Sequence, residues 1–224
     1  MNMIDCAAYL TYLTDCLKKS FSSRLVYVGL QGSYLREEAD ENSDFDVMLV
    51  LDQLTPEDLD VYREILVSAG HYEKSCGFVC GRRDLACWNP LELCHLLHTT
   101  GDVYGSLADL IPEYTEEDLR NFIRLSLCNL YHELCHRYIH SSREDNIAAL
   151  PGTYRAVFFI LQNLYYLRTG TFIRTKAEML SVLDGEDEEV MRMCIRLKAG
   201  TAYDFDAAYS LLFRWCSDLI DFLH

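Results

Sequence analysis

Asp44 and Asp46 stand one residue apart at the head of an apolar run, Phe45 to Leu51. On a strand, positions i and i+2 send their side chains out of the same face, with Cα atoms roughly 6.5–7 Å apart. Two carboxylates so placed can share a hard, oxygen-seeking cation such as Mg²⁺, and substrate phosphates fill the remaining coordination positions. In phosphoryl chemistry such an ion neutralises charge building on the phosphate and orients an in-line attack. Just upstream, a run rich in Val, Tyr and Leu ends in Gly32-Ser33. Glycine lets a backbone pass close to a phosphate. Ser33 adds a hydroxyl, and Arg36 offers a planar fork suited to phosphate oxygens. An isolated Asp-x-Asp is usually an acidic turn before an ordinary strand. Gly-Ser after one strand with Asp-x-Asp opening the next gives this segment its weight.

The elements that must position these residues follow from periodicity. Residues 3 to 19 set Ile4, Ala7, Ala8, Leu10, Leu13 and Leu17 at helical spacing and end in Lys18-Lys19, which suit a helix C-terminus. Arg24 to Gln31 and Phe45 to Leu51 read as strands. Pro56 opens a helix to about Ala69, with Glu57 and Asp58 in its first turn and Gly70 as its stop. The shorter apolar runs 75–80 and 91–97 read as further strands. Thr115 then caps a helix that continues to about Tyr138. Tyr154 to Leu167, Lys176 to Leu183, Glu188 to Lys198 and Tyr203 to Leu223 read as more helices. The expected class is α+β: an N-terminal domain, 1–112, with a small mixed sheet, followed by an all-helical bundle domain, 113–224. No internal repeat or low-complexity segment interrupts it.

Half of the 224 residues are hydrophobic and a quarter charged, enough to bury a sizeable core. Thirty-five acidic residues against 20 basic ones give a formal charge of −15. That field repels phosphate backbones, and no Lys/Arg run concentrates a basic groove, so nucleic acid is not an expected partner. A small polycation would be attracted, although the same charge serves solubility. Met1 to Cys6 lacks the pattern of a signal peptide, and no apolar run approaches the ~20 residues that span a bilayer. The expected setting is the reducing cytoplasm, without a membrane partner, with most of the ten cysteines buried as small hydrophobes.

Gly32-Ser33-Tyr34-Leu35-Arg36, Ala39 and Ser43-Asp44-Phe45-Asp46 resemble the signature of the nucleotidyltransferase superfamily related to DNA polymerase β. The resemblance implies that Gly32, Ser33, Arg36 and Ser43 hold the phosphates of an NTP while Asp44 and Asp46 bind Mg²⁺. Glu37 stands where many relatives carry glycine. A second stretch, Ile160 to Gly170 followed by Thr175-Lys176, resembles the helical domain of aminoglycoside adenylyltransferases of the streptomycin/spectinomycin type. By that likeness Lys176 is a further phosphate ligand; taken alone it is a basic residue beginning a helix. The family also uses a third carboxylate on a later strand, often as general base. Leu91-Glu92-Leu93 is the best match and Asp84 the second. These likenesses cover roughly residues 24–97 and 154–180. They imply Mg²⁺-dependent transfer of NMP, with AMP from ATP foremost, to a hydroxyl of a small cationic acceptor such as an aminoglycoside. The alternatives are AMP placed on a protein acceptor, as in some toxin–antitoxin pairs, and a non-catalytic nucleotide-sensing module. An oligomer is left open.

Other features carry less. Cys128, His132, His136 and His140 recur every four residues along one predicted helix, with Cys135 nearby, and His at i and i+4 can ligate zinc. No further ligand is implied elsewhere, so packing or pocket lining is the expectation. Cys76, Cys80, Cys87 and Cys94 form no Cys-x-x-Cys pair and are expected to be structural. Phe158, Phe159, Tyr165 and Tyr166 are expected in a core, and Glu186 to Glu189 at a helix start.

Overall fold

The computed structural model describes residues 5–223 and divides the chain into two compact units, 1–114 and 115–224. Ile4, which the helical reading included, lies outside the described residues.

In the first unit, helix α1 (Cys6–Phe21) is capped by Asp5 and ends on Lys18 and Lys19. Strand β1 (Leu25–Leu30) leads into the single turn of α2 (Gly32–Leu35), and β2 (Phe45–Leu51) returns antiparallel to β1. Helix α3 (Pro56–Ala69) starts in a capping box, where Thr55 and Asp58 satisfy each other's backbone N–H groups. Arg24 clamps this start to β1: its guanidinium donates to both Asp58 carboxylate oxygens at 2.9 and 2.7 Å and to Asp52 at 3.2 Å. The predicted 75–80 strand is β3 (Ser75–Cys76) and β4 (Val79–Gly81), both parallel to β2. Gly77 interrupts them at φ +138°, where a Cβ would fall 2.0 Å from the Val47 carbonyl oxygen. After the short α4 (Arg82–Ala86), residues 90–98 form helix α5 (Pro90–His98).

That last element corrects the strand expected at 91–97. Asn89 caps Leu91 N–H and Pro90 presets the first turn, and those local signals outweigh the short apolar run. The strand the sequence reading lacked is β5 (Gly101–Tyr104), antiparallel to β1. It is largely exposed and edge-placed, so it carries little apolar patterning. The mixed sheet has the order β3-β2-β1-β5, with β4 also on β2. One face packs Leu13, Leu17, Phe21, Tyr62 and Ile65 against Val47, Leu49 and Leu51. The other carries Tyr27, Met48, Val50 and Cys80 against Leu85 and Leu107. Because β2 is covered on both faces it reads as a continuous apolar run rather than an alternating one.

The second unit is all helical: α6 (Glu116–His140), α7 (Arg143–Thr153), α8 (Arg155–Thr169), α9 (Lys176–Val182), α10 (Gly185–Lys198) and α11 (Phe205–Phe222). Its core brings Ile123 and Leu127 of α6 together with Phe158 and Leu161 of α8, Met191 of α10, and Leu212 and Trp215 of α11 among its buried side chains. Trp215 N–H donates to Asp187 at 2.7 Å and Tyr154 O–H to the Ala208 carbonyl at 2.7 Å, so the large polar aromatics are anchored as well as buried. Helix α7 was not expected, since Pro151 and Gly152 near its end mask a helix that Ser142 caps. Of the four aromatics expected in a core only Phe158 is buried; Phe159 is exposed, and Tyr165 and Tyr166 are half-buried. All ten cysteines are free, and three of them, Cys76, Cys87 and Cys128, are exposed rather than packed. Among the described residues no helix is long and apolar enough to cross a membrane.

Candidate active site

The end of β1 and the beginning of β2 lie side by side. Gln31 N–H donates to the Asp46 carbonyl at 2.9 Å, which fixes the following Gly32 against the Asp46 side chain. Gly32 has φ +68°, and a Cβ built on it would sit 1.9 Å from Asp46 Oδ2. Only glycine fits both the left-handed backbone and the carboxylate above it. Ser33 is the second residue of the single turn of α2, and its carbonyl accepts from Glu38 N–H at 2.9 Å.

Asp44 is exposed just ahead of β2, and Asp46 is half-buried as its second residue. The alternation of the strand gives Asp46 the face of Met48 and Val50, away from α1 and α3. Burial raises the Asp46 pKa above the ordinary carboxylate value, and the Asp44 charge raises it further; a hydrogen bond from Cys76 and the positive charge of Arg36 oppose this. Asp44 and Arg36 thus both lie within electrostatic reach of Asp46. Arg36 is two-sided, since its Nε also donates to Glu38 at 3.2 Å, with both side chains under one-fifth exposed. Ser43 holds the approach loop: its hydroxyl accepts from Asp40 N–H at 2.9 Å.

The residues proposed as a third acid lie elsewhere than expected. The position directly beside Asp46 on the neighbouring parallel strand is Cys76. Burial, the Asp46 hydrogen bond and the two aspartate charges push that thiol's pKa up. Glu92 is exposed in the first turn of α5, where its carboxylate accepts from Trp88 Nε1 at 2.6 Å. Trp88 packs edge-on against Phe78, 4.9 Å between ring centres, and Phe78 lies two residues beyond Cys76. Phe78 and, from α5, Leu96 and Leu97 pack with Met48 and Val50, so the helix that carries Glu92 lies on the Asp46 face of the sheet. Asp84 caps α4 by accepting Gly81 N–H at 3.0 Å. His95, on α5, is held neutral: burial first, then Arg36 and His98, lower its pKa to about 4. Cys76 and His95 were not legible as site neighbours, because pairing and helix register across the sheet place them there. In the helical unit, Lys176 begins α9 and its ammonium lies 4.5 Å from the centre of the Phe158 ring.

The donor set fits a hard divalent cation. Asp46 on β2 is partly desolvated, the carboxylate of Asp44 just ahead of the strand lies within electrostatic reach of it, and Gly32 packs against the Asp46 oxygen with no side chain of its own.

Residues 12–86 match the nucleotidyltransferase domain family. The first unit therefore contains a nucleotidyltransferase domain, and the chain is an enzyme of the nucleotidyltransferase type. The fold of the whole chain is similar to that of spectinomycin adenyltransferase AAD(9) from Enterococcus faecialis, whose crystal structure holds ATP and spectinomycin. The TM-score is 0.60 at 14% sequence identity, over 96% of this chain and 99% of that one. No functionally curated protein matches the chain.

Proposed function

We propose that the chain transfers the AMP moiety of ATP to a hydroxyl of a small cationic acceptor of the aminoglycoside kind, with Mg²⁺ held by Asp44 and Asp46. The observation that carries the reading is Gly32 lying under the Asp46 carboxylate, with Asp44 and Arg36 within electrostatic reach. Mg²⁺ there would neutralise charge on the α-phosphate as pyrophosphate leaves. Gly32 and Ser33 hold the terminal phosphates through backbone N–H and hydroxyl groups, and Arg36 adds charge beside them. Ser43 keeps Asp44 presented by tying the loop that precedes it. Lys176 is included as a phosphate ligand on the resemblance of its stretch. For the acceptor's proton the reading retains Glu92, which is exposed and oriented by Trp88, over Asp84, which is engaged in capping α4. The formal charge of −15 favours a cationic acceptor, and ten free thiols suit a reducing cytoplasm.

One observation favours a second reading. The strand beside Asp46 carries Cys76 in place of an acid, which suits a nucleotide-sensing module that binds ATP without turnover. Pyrophosphate release from ATP and Mg²⁺ across an aminoglycoside panel separates the two. Release that requires a panel member and disappears in Asp44→Asn with Asp46→Asn supports transfer. Release that survives the double substitution overturns the site. ATP binding that depends on Asp46 without release under any acceptor selects the sensing reading.

A further inference from the structure

Helix α6 carries His132-Glu133-Leu134-Cys135-His136 and, one turn on, His140. The three imidazoles are exposed on one face, and their rings stand 5.9 Å apart for His132 and His136 and 4.7 Å for His136 and His140. Two imidazoles bound through nitrogen to one ion, at about 2.0–2.1 Å, hold their ring centres about 5 Å apart. The His136–His140 pair therefore stands at chelating distance as folded, and the first pair does not. We propose that His136 and His140 form a two-ligand site for a borderline divalent cation of the Ni²⁺, Cu²⁺ or Zn²⁺ class.

Neutral imidazole prefers these ions over Mg²⁺, so the chain would carry two cation sites of opposite hardness. Among the described residues no three His, Cys, Asp or Glu side chains converge to hold a metal, so water completes the coordination. The His-Glu-x-x-His string does not make this a hydrolytic centre. The glutamate of such a string would have to activate a metal-bound water. Glu133 instead accepts the Thr153 hydroxyl at 2.9 Å, which ties it to α7. Helix α6 is 25 residues long and packed along Leu127, Leu130 and Leu134, so the two histidines are held on a rigid rod before any ion arrives.

The test is calorimetric titration of the untagged full chain with NiCl₂ in excess Mg²⁺. One equivalent should bind. His136→Asn and His140→Asn should each weaken it about 100-fold, the lower range of the gain from linking two ligands, while His132→Asn leaves it unchanged. Asp44→Asn with Asp46→Asn should also leave it unchanged, which keeps this result separate from the active-site reading. All five positions are exposed or half-buried, and circular dichroism verifies that each variant folds. Absence of binding, binding that survives His136→Asn, or binding that falls with the aspartates overturns the proposal.

Discussion

Gly32→Ala is the sharpest perturbation of the site because one methyl group acts in two separable ways. The left-handed backbone costs an alanine about 1–2 kcal/mol, which for a chain of this size lowers Tm by about 2–8 °C. Independently, the new Cβ falls 1.9 Å from Asp46 Oδ2, whereas ordinary contact begins at 3.4 Å. The carboxylate must retreat by about 1.5 Å, and a displacement near 1 Å can cost about 100-fold in rate. Gly200→Ala isolates the first effect: Gly200 has the same φ of +68°, with nothing within 4 Å of its would-be Cβ. Scanning fluorimetry should show similar losses of Tm in the two variants. Titration with ATP and Mg²⁺, and pyrophosphate release where an acceptor is found, should show a loss in Gly32→Ala alone. A Gly32→Ala protein that binds and turns over as Gly200→Ala does would refute the claim that this glycine exists to seat Asp46.

The remaining expectations test the scaffold and the assigned roles. Arg24 hydrogen bonds hold the Asp58 carboxyl near pKa 2, below its unfolded value of about 3.9. Its stabilising contribution is complete above about pH 4 and is lost as pH falls through 2. Asp58→Asn should therefore show a shallower decline of Tm than wild type across that window, and parallel declines would remove the ion pair from the account. Trp215 is 1% exposed, and Trp215→Ala should destabilise the protein by about 3–5 kcal/mol in urea unfolding. Glu92→Gln should depress kcat with little change in KM for ATP, and Asp84→Asn should act on stability; the reverse pattern would exchange their roles. Lys176→Ala should raise KM for ATP, and an unchanged KM removes it from the phosphate ligands.

Local chemistry made much of this protein readable as a sequence. The helix cap at Thr115, Pro56 at the start of α3, and the uninterrupted apolar run of β2 each act within a few residues. The Gly-Ser and Asp-x-Asp string is local as well, but only Asp46 stands on β2; Asp44 precedes the strand, so alternation alone does not set the pair. Other features depend on partners distant in the chain. The edge strand β5 exists because β1 offers it hydrogen bonds, which leave no apolar pattern behind. Leu91 to Leu97 is apolar enough for a strand, and only its cap and its burial of Leu93 and Cys94 on one side make it a helix. The neighbour of Asp46 is a thiol rather than an acid because a parallel pairing, set 30 residues away, brings Cys76 into register. Sequence determined which groups can do chemistry; tertiary structure decided which of them meet, since register and packing are properties of pairs of segments and no single segment encodes them.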